Sequence, residues 1–151
     1  MTVKSKLPIK VLLADDSEIM REAIKKLLEE EPRIHIVGEA SSFANAMQLV
    51  ADVKPNILLL DLHMPQKRDL PAPVVKSQLN CIEYTLAISF ANDEEAKSLA
   101  ASYGAVALLD KMGLYTELLP AIMRLADPSA NRSFKIDPKP SREGMSLGLP
   151  E

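Results

Sequence analysis

A single cysteine, Cys81, stands in a chain of 151 residues. No intramolecular disulfide can form, which fits a reducing compartment. Long apolar runs are missing too. Stretches such as Ile57 to Leu60 fall far short of the roughly 20 residues that a membrane helix needs. The opening stretch, Met1 to Lys10, carries lysines with no apolar core behind them and does not read as a signal peptide. Basic excess is absent: 18 Lys and Arg stand against 21 Asp and Glu, a net charge of −3, which argues against direct nucleic-acid binding. Internal repeats are lacking. These absences lead us to expect a soluble, cytoplasmic chain with no membrane contact. An apolar content of 47% and a charged content of 26% are those of a globular domain with a core of its own.

What is present is an alternation of two periods through the first 126 residues. Val11–Ala14 is a short apolar run of the kind that buried parallel strands require. From Glu18 to Glu30, Ile19, Met20, Ala23, Ile24, Leu27 and Leu28 mark one helical stripe, with Ser17 as its cap and Glu22 spaced to pair with Lys26. Ile34–Val37 reads as an edge strand stopping at Gly38. Phe43, Ala46, Met47 and Val50 mark a second helix, and Ile57–Leu60 is the most apolar strand. Prolines crowd the next segment, so a short helix is expected to begin near Pro73 and run through Val74, Val75 and Leu79. Glu83–Ser89 is a fourth strand. Asp93 caps a helix that Gly104 closes, Ala105–Leu109 is a fifth strand, and Thr116 is expected to start the last helix, with Pro120 near its first turn.

Five strands alternating with five helices imply a doubly wound parallel sheet. Placing the most apolar strands inside gives the order 2-1-3-4-5, with helices one and five on one face and two to four on the other. Ligands of such sheets bind at the carboxyl ends of the strands, near the switch in strand order. There the chemistry-bearing residues gather. Strand one ends in Asp15–Asp16, strand three in Asp61 and strand four in Ser89, and Lys111 follows strand five. Each alone has an ordinary explanation as a cap, a turn residue or a surface charge. Jointly they bring three carboxylates, a hydroxyl and an ammonium to one crevice. Clustered carboxylates repel one another unless a cation offsets them, and a hard divalent ion such as magnesium suits oxygen ligands. A carboxylate can itself be a nucleophile toward phosphorus.

The segments Leu13–Ser17, Leu59–Pro65, Ile88–Ser89, Gly104–Ala105 and Asp110–Lys111 together resemble the receiver domain of bacterial response regulators, the CheY-like domain of two-component systems, over roughly residues 7–127. The resemblance implies a phosphoryl group accepted on Asp61 from a sensor histidine kinase or phosphotransfer protein, with Mg2+ as cofactor. Asp16 would be a direct metal ligand, Asp15 a ligand acting largely through water, Asp61 a third, and the backbone carbonyl of His63 would complete the set. Lys111 would meet the phosphoryl oxygens, and Ser89 would be the hydroxyl that shifts on modification. Such a domain catalyses its own phosphorylation and dephosphorylation and has no external turnover substrate. Its output is a change of partner, here an unknown downstream protein, and the resemblance admits a phosphorylation-dependent dimer. Four positions depart from the pattern: Leu108 replaces the aromatic three residues before the lysine, Phe90 is bulkier than usual after Ser89, Met112 replaces a proline, and Asp69 stands near the place of a missing glycine.

Other α/β readings fit less well. A haloacid-dehalogenase phosphatase needs an Asp where His63 stands, and a cobalamin domain needs a Gly where Gln66 stands. A nucleotide-binding turn needs glycines, and Asp15–Asp16–Ser17 has none. A receiver fold acting as a phosphate-independent interaction module remains as an alternative, as does the truncated receiver of a DNA-binding regulator. His35 lies on the far edge strand. His63 sits at the mouth of the crevice, either as a solvent-facing loop side chain or as a guide to hydrolytic water. Cys81 is expected to be small and partly buried. Residues 128–151 include Pro128, Pro138, Pro140 and Pro150 with little periodicity, and we expect a disordered tail without a recognition helix.

Overall fold

The computed structural model describes residues 8–64 and 71–127. The Pro-rich stretch from Pro128 and positions Pro65, Gln66 and Asp69 lie outside the described residues.

Five strands form one parallel sheet: β1 (Ile9–Ala14), β2 (Ile34–Ala40), β3 (Ile57–Asp61), β4 (Tyr84–Ser89) and β5 (Ala107–Asp110). Their order is β2-β1-β3-β4-β5, as the apolar pattern implies. All five residues of β3 are buried, because both faces of a central parallel strand are covered. The period of two sorts its side chains. Leu58 and Leu60 enter one core with Leu12 and Ala14 of β1, while Ile57 and Leu59 enter the other with Val11 and Leu13. The first core is closed by α2 (Phe43–Val53), α3 (Ala72–Leu79) and α4 (Glu94–Ser102), and the second by α1 (Glu18–Leu28) and α5 (Leu114–Ala126). Among the described residues no helix is long and apolar enough to cross a membrane.

Local chemistry fixes the helix ends. Ser17 Oγ accepts from Met20 N–H, Ser42 Oγ from Asn45 N–H and Asp93 Oδ1 from Ala96 N–H, so α1, α2 and α4 each start on a side-chain cap. Gly104, at φ +87°, lets the chain leave α4.

Several boundaries differ from the sequence expectation. β2 does not stop at Gly38 but runs on to Ala40, with Val37 bulged out between the pairs Val11–Ile36 and Leu12–Gly38. A Cβ at Gly38 would lie 3.0 Å from Leu12 Cδ1, so glycine here answers to close packing rather than to a turn. β5 begins at Ala107, later than Ala105. The last helix begins at Leu114, before Thr116, because a 3-10 turn over Lys111–Gly113 leads directly into it. Pro120 therefore sits inside α5 and not in its first turn. Ile19 is 83% exposed, outside the stripe assigned to it. Lys25, not Lys26, pairs with Glu22. Cys81 is exposed, since it falls in the turn after α3.

Candidate functional site

Four strands place polar residues at or just past their carboxyl ends. Asp15 follows β1, Asp61 ends β3, Ser89 ends β4, and Lys111 opens the 3-10 turn after β5. Asp15, Asp61 and Ser89 are the buried polar residues at this end of the sheet, at 1%, 2% and 0% exposure. Asp16 is exposed, yet carboxylate oxygens of Asp15, Asp16 and Asp61 all lie within 4.8 Å of one another. The structure thus brings Asp15, Asp16 and Asp61 together, with Lys111 against two of them, and sets Ser89 at the same end of the sheet.

Backbone amides orient the two buried carboxylates. Asp15 Oδ1 accepts from Ser17 N–H at 2.8 Å, and Asp61 Oδ1 from His63 N–H at 3.0 Å. The opposite oxygens face Lys111. Its Nζ lies 2.8 Å from Asp15 Oδ2 and 3.2 Å from Asp61 Oδ2, with the lysine side chain 6% exposed. Three carboxylates against one ammonium leave the pocket negative. Burial pushes the Asp61 carboxyl above its ordinary value and the charge on Asp15 adds to this, against the pull of His63 N–H and Lys111. Burial opposes the charge on Lys111, but the close contact with Asp15 and the field of Asp61 outweigh it and raise its affinity for the proton.

The donor set suits a hard cation. Asp15 Oδ2 is fully buried and makes no aligned hydrogen bond; its near neighbour is the Lys111 ammonium, an ion contact rather than a directed bond. An anionic oxygen left in this state gains from a second positive partner. Asp15, Asp16 and Asp61 offer oxygen ligands alone, the preference of magnesium.

Three features of the site were not read from the sequence. Arg21, in the second turn of α1, donates from Nη1 to the Asp15 carbonyl at 2.6 Å and from Nε to Glu39 of β2 at 2.9 Å, which pins the acidic loop. His63 Nε2 meets Ser89 Oγ at 2.8 Å. The Phe90 ring lies with its centroid 5.1 Å from Lys111 Nζ, a cation–π contact beside the pocket. Arg21 and Glu39 carried no signal because a surface arginine and an edge-strand glutamate look alike in any sequence. The turn of His63 toward Ser89 depends on register, which periodicity alone does not give.

The model of the response regulator receiver domain matches residues 11–123. A protein-glutamate methylesterase/protein-glutamine glutaminase of Geobacillus kaustophilus is 28% identical over 174 aligned residues, covering 93% of this chain and 47% of that protein. One from Methanospirillum hungatei is 33% identical over 89 residues, 59% of this chain and 26% of the relative. The chain thus spans about half or less of the length of these curated relatives. Among solved structures, the receiver domain of the response regulator NarL from Mycobacterium tuberculosis superimposes with a TM-score of 0.69 at 28% identity, over 80% of this chain and 97% of that one. The response regulator domain of Thermotoga maritima CheB gives 0.67 at 23% identity, over 80% and 99%, a likeness of fold.

Proposed function

The chain belongs to the response-regulator receiver domain family, and on that premise we propose that it accepts a phosphoryl group on Asp61 in a magnesium-dependent reaction. The observation that carries the reading is one buried carboxylate, Asp61, at the end of the central strand, facing the ammonium of Lys111, whose side chain is 6% exposed. In the transfer an Asp61 carboxylate oxygen forms the new bond to phosphorus, and the bond from phosphorus to the donor's oxygen or nitrogen breaks, its electron pair leaving with the donor. Asp15, Asp16, Asp61 and the His63 carbonyl would hold the magnesium ion, which when bound supplies positive charge against the phosphoryl oxygens. Lys111 supplies a second positive charge on these oxygens, and the carboxylates of Asp15 and Asp61 beside it keep it protonated against the opposing effect of burial. Arg21 holds the Asp15 backbone, so the acidic loop is set before any ion or donor arrives. Ser89 is the hydroxyl assigned to the phosphoryl group once Asp61 is modified.

The physiological donor in this reading is a sensor histidine kinase or phosphotransfer protein, and the response is an altered affinity for a downstream partner. The phosphoacceptor unit spans residues 7–127. Incubation with acetyl phosphate and magnesium is expected to add about 80 Da to the intact mass, the weight of one phosphoryl group. Asp61→Asn is expected to stay unmodified. Wild-type protein left unmodified by several small donors at saturating magnesium would favour an interaction module that works without phosphate.

A further inference from the structure

Ser89 ends β4 with its side chain buried, and two groups meet its hydroxyl oxygen. Ala91 N–H donates to Oγ at 2.9 Å, and His63 Nε2 stands 2.8 Å away. A serine hydroxyl has one proton and two acceptor positions. Ala91 fills one of these. If the neutral imidazole carries its proton on Nδ1, the Ser89 proton is donated to Nε2. If the proton is on Nε2, the ring donates and fills the second acceptor position. In both tautomers the imidazole anchors the hydroxyl.

The contact is set by the sheet. Asp61 of β3 pairs with Ile88 of β4, and Leu62 N–H donates to the Ile88 carbonyl at 3.1 Å, carrying the ladder one residue beyond β3. His63 then donates its own N–H to Asp61 Oδ1, which turns the backbone tightly after the acceptor strand. The residue two places beyond Asp61 thus stands beside the residue that ends β4. His63 is otherwise exposed, so core packing does not account for its orientation.

We propose that His63 is a positioning residue that holds the Ser89 hydroxyl in the unmodified protein and competes for it with a phosphoryl oxygen on Asp61. The inference rests on the phosphoacceptor reading of Asp61 and adds a restraint particular to this chain. With the ring proton on Nδ1, Ser89 spends its only proton on the imidazole and has to give up that bond before it can donate to the phosphoryl group; with the ring proton on Nε2, the imidazole restrains the position of the hydroxyl oxygen. The two partners therefore draw on one hydroxyl, and the switched conformer is disfavoured by the worth of the His63 contact. A ligand or a restraint moves such an equilibrium only by its own differential strength. For one ordinary hydrogen bond that is about two- to tenfold. A histidine that merely screened water from the site would act whether or not position 89 carried a hydroxyl. The restraint proposed here acts through that hydroxyl alone.

Beryllofluoride, a mimic of the phosphoryl group, provides the test. It is titrated calorimetrically at saturating magnesium into the full chain and into the His63→Ala, Ser89→Ala and doubly substituted variants. His63→Ala is expected to bind it about two- to tenfold more tightly than wild type. In the Ser89→Ala background the same substitution is expected to change nothing, so that the two positions are coupled. Unchanged or weaker binding by His63→Ala, or an equal gain with and without the hydroxyl, overturns the restraint and leaves Asp61 standing as the acceptor. Failure of all four proteins to bind beryllofluoride overturns the acceptor reading, and the restraint with it.

Discussion

Asp61 is held in a setting that favours chemistry over stability. Its carboxylate is buried, lies close to those of Asp15 and Asp16, and shares one ammonium with Asp15. Desolvation and like charge both oppose its ionised form. Asp61→Asn removes the charge and keeps the shape, so at neutral pH and without magnesium it is expected to raise the melting temperature. A gain of about 1 kcal/mol corresponds to a few degrees for a domain of this size. Calorimetry checks this, and a clear fall would mean that the Lys111 contact outweighs the crowding. Asp15, Asp61, Ser89 and Lys111 were legible in the sequence because each stands within two residues of the end of an apolar strand run, and strand ends are where such sheets bind ligands. His63 and Phe90 were legible as residues but not as contacts, and Arg21 was not singled out at all, since the partners of His63, Phe90 and Arg21 lie 26, 21 and 18 positions away, respectively, on other elements.

Elements are tied to the site by a charged strip between α1 and β2. Glu39 accepts from Arg21 Nε at 2.9 Å and Lys25 Nζ at 2.6 Å, and Lys25 also meets Glu22. The bond to Lys25 foremost, with that to Arg21, holds the Glu39 carboxyl below its ordinary range against the opposing effect of burial. The unfolded chain then takes up protons more readily than the folded one at this position. The stability that results is present above the ordinary value of 4.5 and is lost as pH falls through the depressed folded value. Glu39→Gln is expected to flatten that part of the acid limb by about 0.5 kcal/mol, a modest figure because water screens the strip. An acid limb unchanged by the substitution would contradict it. On the far side, Pro120 lies in the interior of α5, where its missing N–H leaves the Thr116 carbonyl without its helical donor. Pro120→Ala is expected to stabilise by about 1–2 kcal/mol, the helix gain less the freedom returned to the unfolded chain. A denaturation midpoint that does not rise would count against this account of the helix. The sequence misplaced Pro120 because the 3-10 turn after β5 has no signature of its own, and the helix start was set at the hydroxyl of Thr116 instead. It also ended β2 at Gly38, where the bulge and the Leu12 side chain, a tertiary contact, decide the matter.

Across the whole molecule, strand order and helix faces follow from the contrast between β1 and β3, apolar but for Lys10 and Asp61, and the half-exposed β2. That contrast also fixes where β1 and β3 meet, and hence where Asp15 and Asp61 face each other. Output is a different matter. It depends on surfaces and on partners that strand periodicity does not encode, and the curated relatives carry this domain within proteins about twice its length or more. The central claim is therefore the acceptor itself, and it is tested most directly by locating the phosphoryl group. The chain is treated with acetyl phosphate and magnesium, reduced with borohydride, which converts an acyl-phosphate aspartate to homoserine, and digested for peptide sequencing by mass spectrometry. The account predicts homoserine at position 61, with Asp15 and Asp16 unchanged. Homoserine at another aspartate, or at none while the intact protein carries phosphate, would contradict it.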